Sequence, residues 1–353
     1  MARIDAFLKL GVAQGCSDLH LAVGVPPMLR MHGDLMPIKF RELGEAELEG
    51  YVTEVLTQNQ LKQLREGNDI DFSYVSSEGG RFRVNVFRKE TGIGAAFRSI
   101  PTQMPTIEQL GLPPIVRKMC DYHQGMILVT GSTGTGKSTT LAAMIDYLNS
   151  TRSLNIISLE DPIEFVHRSK TSQVIQRELG THLPSFAEGV RAAMREDPDV
   201  ILVGELRDLE TMSIAVTAAE MGILVMGTLH TNGAAPTVDR MVNAFPSDKQ
   251  SHVRTMLSTS LRGVVSQQLL QKADKSGRVA ALEILVNNPA ASNLIRQGKL
   301  DQLENTMQAG GAFGMRTMDT AIQQLLDSRQ VTGKEAYKKA INKGKFEDVK
   351  DSG

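Results

Sequence analysis

Residues Gly131-Ser132-Thr133-Gly134-Thr135-Gly136-Lys137-Ser138 set glycines, a lysine and a hydroxyl at the spacing of a phosphate-binding loop. The glycines let successive backbone N–H groups turn inward around phosphate oxygens, and the start of a following helix adds its positive end. Lys137 is expected to reach the β- and γ-phosphates of ATP and Ser138 to ligate Mg²⁺, with Thr139 continuing the binding stretch. A chance strand–turn–helix is the bland alternative. The flanks argue against it: an apolar run at 126–130 precedes the loop and a helical pattern at 137–149 follows.

Two further runs end in acids. Val200-Ile201-Leu202-Val203 leads into Gly204-Glu205, the form of a buried strand that delivers a carboxylate to a metal at its C-terminal end. Glu205 is longer than the usual Asp, which favours contact with Mg²⁺ through a water or polarisation of the attacking water. Its bland reading is a surface acid at a strand end. The run at 154–159 ends in Glu160-Asp161-Pro162-Ile163-Glu164. Three carboxylates so close are costly together unless a cation is present. Glu160 is assigned as general base for water attack on the γ-phosphate, with Asp161 orienting it; Glu164 is the weakest of the three and could equally be a turn acid.

His230, in Thr228-Leu229-His230-Thr231, could sense the γ-phosphate; on spacing alone it could equally be a satisfied structural histidine. Asp18 and His20 are too few for a metal site and read as a structural hydrogen-bonded pair. Arg81, Arg83, Arg88 and Arg98, with Arg195 and Arg207, read either as a solvated face or as fingers reaching an ATP site.

The elements that must position these groups fall into two patterns. Residues 1–100 mix helical signals at 4–12 and 45–66 with strand signals at 18–23, 28–31, 35–38, 69–75, 81–88 and 93–99. Turns are expected at Gly33-Asp34 and Gly79-Gly80. This reads as an α+β domain. Residues 101–117, punctuated by Pro101, Pro105, Pro113 and Pro114, read as a linker with a short helix near 107–110. Residues 118–353 form the second domain. There strands at 126–130, 154–159, 200–203 and 224–228 alternate with helices at 137–149, 186–195 and 210–221, the signature of a parallel sheet covered on both faces. The last hundred residues read as mostly helical, with a turn at Gly310-Gly311 and a frayed tail after Lys343. The fold class is α/β.

Composition narrows the function classes. The net charge of −1 and the 5% aromatic content disfavour a nucleic-acid binder, although a translocase on this type of fold is a competing reading. Two cysteines with no CxxC exclude a cysteine-built zinc site and fit a reducing cytosol. The N-terminus lacks a signal-peptide pattern, and no apolar run is long enough to span a membrane, so direct membrane insertion is not expected.

With these residues in view, the chain resembles the secretion ATPase superfamily that powers type IV pili and type II secretion, and within it the pilus retraction class. The resemblance covers roughly residues 1–340. SDLHLAVGVPPMLRMHGDL from Ser17 is similar to that family's N-domain opening, and the glycine loop to its Walker A motif. LEDPIEFVH from Leu159 resembles its Asp box, REDPDVILVGELRDLET from Arg195 its Walker B region, GTLHTNGAAPTVDR from Gly227 its His box, and GGAFGMRTMD from Gly310 its terminal helical region. The resemblance implies a PAS-like N-terminal domain and a RecA-like ATPase domain, ATP bound between them, and a homohexameric ring. It implies Glu160 as the catalytic glutamate, Glu205 at the metal and His230 on the γ-phosphate side. The implied partners are an inner-membrane platform protein at the pilus base, through it pilin, and a paralogous retraction ATPase; the implied place is the cytoplasm, peripheral to that membrane. The missing CxxC pairs and the short chain point away from the extension and secretion branches. Three departures stand out: Ser132 where proline is usual, Ile223 where the His box has a second histidine, and Ser292 and Gln297 in place of Arg and Glu of the retraction motif. Ile223 and the altered motif at Ser292 and Gln297 motivate an accessory or regulatory paralogue, with weak or no hydrolysis, as the alternative.

Overall fold

The computed structural model describes residues 2–31, 34–77, 80–100 and 104–352. Gly33 and Gly79 of the expected turns, and Pro101 of the expected linker, lie outside the described residues. The chain divides into two compact units, Met1–Gln103 with Pro162–Val166 and Met104–Asp161 with His167–Gly353.

In the first unit, strands β1 (Asp18–Ala22), β2 (Met28–Met31), β3 (Asp34–Pro37), β4 (Ile70–Val75), β5 (Arg81–Lys89) and β6 (Gly92–Ile100) form an antiparallel sheet of order β3-β2-β1-β6-β5-β4. Alternation along β5 is clear: Phe82, Val84 and Val86 are buried, with Arg81, Arg83 and Asn85 between them. The apolar set joins Leu8, Leu48, Val52 and Leu64 of helices Asp5–Ala13, Glu45–Thr53 and Gln58–Arg65 in one core. Polar residues are aligned by register across four strands, Arg30 opposite Asp18, Asp18 opposite Arg98, and Arg98 opposite Arg83. Asp18 accepts from Arg98 Nε at 2.8 Å and so offsets two facing guanidinium groups. The expected Asp18–His20 pair is therefore not the one formed. His20 Nε2 is buried without a hydrogen-bond partner among the described residues. The helical signal at 45–66 is two helices, because Thr57 and Gln60 form a capping box that starts the second.

In the second unit, strands β7 (Gly125–Thr130), β8 (Asn155–Glu160), β9 (Gln173–Glu178), β10 (Val200–Val203), β11 (Leu224–Leu229), β12 (Leu261–Gln271) and β13 (Arg278–Val286) form a sheet of order β13-β12-β7-β11-β10-β8-β9. All neighbours are parallel except β12 and β13. β7, β10 and β11 are buried at every residue, as strands covered on both faces must be. The chain is thus α/β with a mixed sheet. β12 and β13 lie in the stretch expected to be mostly helical. Their long buried runs lack the alternation that marks a half-exposed strand, and a short apolar run does not separate strand from helix. The stretch read as linker contributes Ile107, Leu112 and Val116 to the core of the second unit; residues 107–110, expected as a short helix, form turns, and a helix instead spans Pro114–Cys120.

The tail after Lys343 is docked rather than frayed up to Val349. Phe346 is buried among Met318, Ile322 and Val331, and Asp319 accepts from the backbone N–H of Ile341 at 2.8 Å and of Asn342 at 3.1 Å. Burying such a ring stabilises by roughly 1.5–3 kcal/mol. Cys16 and Cys120 are free, buried thiols, and burial pushes Cys120 up to about 12. Among the described residues no helix is long and apolar enough to cross a membrane.

Phe346→Ala is expected to lower the stability of the second unit by about 3–5 kcal/mol, measured by denaturant unfolding. A loss within the scatter of surface substitutions, about 0.5 kcal/mol, would show that the tail does not hold the helices beneath it.

Candidate functional site

The phosphate loop begins where the buried strand β7 ends. Gly131 has φ +139°, and a β-carbon there would sit 2.4 Å from the carbonyl oxygen of Gln267, so only glycine lets the loop pass this close to β12. Gly136 has φ +88° and forms the N-cap of helix Lys137–Thr151. Thr135 Oγ1 donates to Ser132 O at 2.9 Å and closes the turn. Lys137 Nζ folds back to donate to Gly131 O at 2.8 Å and Ser132 O at 3.0 Å. The ammonium is thus poised over the loop beside the start of the helix, an arrangement suited to an anion. Ser138 is exposed and Thr139 half-buried in the first helical turn.

Sequence reasoning missed the brace on this loop. Gln267, buried in β12, donates from Nε2 to Thr135 O at 2.5 Å and accepts from Thr140 Oγ1 at 2.8 Å. Both contacts agree on one amide orientation. Without knowledge of β12, a glutamine in this run carried no signal.

Next along the sheet come β11 and β10. His230 follows β11, and Glu205 follows β10 after Gly204, whose N–H donates to Leu159 O of β8 at 2.7 Å. His230 Nε2 lies 3.3 Å from Glu205 Oε1, and its Nδ1 lies 3.4 Å from Thr133 Oγ1 of the loop. Strand order therefore sets the side-chain order, with Thr133, His230 and Glu205 leaving β7, β11 and β10 in turn. Arg207 Nε donates to Glu205 Oε2 at 2.8 Å and its Nη1 lies 3.8 Å from Asp161 Oδ2. One guanidinium thus stands between two of the expected carboxylates and reduces their mutual repulsion. Of the other arginines considered, Arg195 is exposed, and Arg81, Arg83, Arg88 and Arg98 belong to the first unit, as does Glu164.

Glu160 ends β8. Its Oε1 accepts a short hydrogen bond from Ser158 Oγ and one from Gln176 Nε2 at 2.9 Å. Gln176, on β9, uses its own carbonyl to accept from His167 N at 2.7 Å. Gln176 is a second missed residue, hidden because β9 alternates only weakly. The β8–β10 register pairs Leu159 with Val203, so Glu160 and the Gly204-Glu205 turn leave adjacent strands at the same level.

Behind the phosphate loop, Ser132 Oγ donates to Asn232 Oδ1 at 3.1 Å, linking loop to His230 segment. Ile223 precedes β11 at its opposite end, buried in the core, with its carbonyl accepting from Gly125 N at 3.1 Å. It is separated from His230 by the length of the strand, about 20 Å. Ser292 Oγ donates to Ser258 O at 2.6 Å, and Gln297 Nε2 donates to Asn293 Oδ1. Among the described residues no group of three or more His, Cys, Asp or Glu side chains could alone hold a metal ion. An exposed hydroxyl at Ser138 and one carboxylate at Glu205 fit the sparse protein shell of a Mg²⁺ that arrives with phosphate oxygens and waters.

Known proteins share this framework. Residues 4–344 match the family model of type II/IV secretion system proteins. The chain is 46% identical over 337 residues to the type IV pilus retraction ATPase PilT of Pseudomonas aeruginosa, covering 96% of this chain and 98% of that one. It is 49% identical over 316 residues to a twitching motility protein of Neisseria gonorrhoeae, covering 90% and 84%. The crystal structure of the pilus retraction motor PilT with bound ADP superposes with a TM-score of 0.92 at 43% identity, covering 99% and 100% of the two chains. The chain belongs to the type II/IV secretion system protein family.

Proposed function

We propose that the chain is a Mg²⁺-dependent ATPase that drives type IV pilus retraction, as PilT does by name. The observation that carries this reading is the single edge on which the lysine-capped phosphate loop, His230, Glu205 and Glu160 stand together. In the proposed reaction, Lys137 exchanges the carbonyls of Gly131 and Ser132 for β- and γ-phosphate oxygens. The N–H groups from Gly131 through Thr139 bind the phosphate chain. Mg²⁺, held by Ser138 and Glu205, would neutralise charge on the phosphate oxygens. Glu160, fixed by Ser158 and Gln176, accepts a proton from the attacking water, and Asp161 with Arg207 orders its neighbourhood. His230, bridging Thr133 and Glu205, reports occupancy of the γ-phosphate position.

The same reading assigns a homohexameric ring, acting on an inner-membrane platform protein at the pilus base and through it on pilin, alongside a paralogous retraction ATPase. It assigns a cytoplasmic place, peripheral to that membrane. The near-neutral charge supports a protein track over a nucleic-acid one.

Steady-state turnover, with the particle mass recorded alongside, tests the assignment. Glu160→Gln is expected to leave ATP binding intact and to lower kcat by roughly 10²–10⁴-fold; unchanged turnover removes Glu160 from the role of base. Lys137→Ala is expected to abolish nucleotide binding, and retained affinity for ADP would overturn the lysine's phosphate role. A wild-type chain that binds nucleotide but turns over no faster than Glu205→Ala would favour the accessory paralogue.

A further inference from the structure

Three neighbouring strands carry polar residues in register under the start of helix Ala234–Asn243. Thr130 of β7 pairs with Ser266 of β12, and Ser266 with Glu283 of β13. Each holds one group of the helix start. Gly233 N donates to Ser266 Oγ at 2.8 Å, Ala234 N donates to Glu283 Oε1 at 2.7 Å, and Thr237 Oγ1 lies 3.3 Å from Thr130 Oγ1. This helix follows directly on the segment 230–232, which carries His230 and Asn232.

Glu283 does more than close that row. Its second oxygen accepts at 3.1 Å from the backbone N–H of Met318, the first residue of helix Met318–Asp327. The side chain is buried, its residue 6% exposed. A buried carboxylate is costly unless it is hydrogen-bonded. Here its partners are N–H groups that helix starts leave unsatisfied, and both helix dipoles favour an anion at that point. Burial pushes the Glu283 carboxyl up from its ordinary value, and the two backbone N–H bonds oppose that shift. The next residue, Asp319, holds the backbone of Ile341 and Asn342. One carboxylate thus joins the nucleotide-side loop to the helix that anchors the C-terminal tail.

We propose that Glu283 is a positioning residue of the nucleotide site, fixing the loop that carries His230 and tying its movement to the start of helix Met318–Asp327. The inference rests on the γ-phosphate reading of His230 given above. Glu283 does not touch the reacting atoms. It acts by holding Ala234, and with it the turn that aims His230 at Glu205.

The test uses the full chain, wild type against Glu283→Gln, with Lys137→Ala as the inactive reference. In Glu283→Gln the new amide presents a donor to one of two N–H donors, so one helix start loses its anchor without a change in volume. The expected result is a kcat lower by roughly 10–100-fold, with unchanged affinity for a fluorescent ADP analogue. Hydrogen exchange provides a second readout. On adding a non-hydrolysable ATP analogue to the wild type, peptides covering 230–236 and 316–321 should change protection together. In Glu283→Gln only the first should respond. An active wild type whose 316–321 peptide ignores the analogue overturns the link, as does a Glu283→Gln variant with full kcat. A variant in which kcat, ADP affinity and melting temperature fall together marks a merely structural role and also overturns it. A wild type no faster than Lys137→Ala instead removes the ATPase reading, and the positioning role with it.

Discussion

Parallel pairing sends the carboxyl ends of β7, β11, β10 and β8 to one edge of the second sheet, and the residues that leave those ends are the phosphate loop, His230, Glu205 and Glu160. Ligands of open α/β sheets bind outside those strand ends because loops there are free to specialise while the strands stay buried. β7, β10 and β11 themselves are buried at every residue and almost wholly apolar. Their rigidity is what makes a 3.3 Å approach of His230 to Glu205 a property of the fold. A shift of register between β10 and β11 would carry one of these residues away from the other.

That edge collects acids, and the structure manages them in two ways. At the surface, Arg207 stands between Glu205 and Asp161, a screened and adaptable arrangement. Farther back, Glu283 is answered by two helix starts, with no cation involved. The first arrangement leaves carboxylates able to exchange partners when a nucleotide arrives. The second fixes one, because a buried carboxylate that lost a partner would pay its desolvation penalty in full. Mobility and fixity are thus assigned by depth.

The sequence exposes this site unevenly, for physical reasons. The glycine loop was legible because its backbone demands are local: Gly131 and Gly136 take left-handed conformations that spacing alone reveals. β10 was legible as four apolar residues running into an acid. β12 and β13 were not, since buried strands lose the period-2 pattern, and with them went Gln267 and Glu283. A lone polar residue in such a run has no meaning until its cross-strand partner is known. The break between helices Glu45–Thr53 and Gln58–Arg65 is a different case. The Thr57–Gln60 capping box was present in the sequence, and the continuous helical period on either side obscured it. The tail reads as polar in sequence yet docks, because one buried aromatic, Phe346, outweighs its charged neighbours.

Burial of the two thiols has a practical side. Thiolate, not thiol, reacts with maleimides and disulfides, and Cys120 is both enclosed and held protonated. Cys16 is shielded in the other unit and its thiol is likewise raised by burial. Slow alkylation of the folded chain is therefore expected, slowest at Cys120. A single cysteine engineered on the surface could carry a fluorophore or spin label without removal of the native pair, and the slow appearance of labelled Cys120 would serve as a clock for opening of the second core.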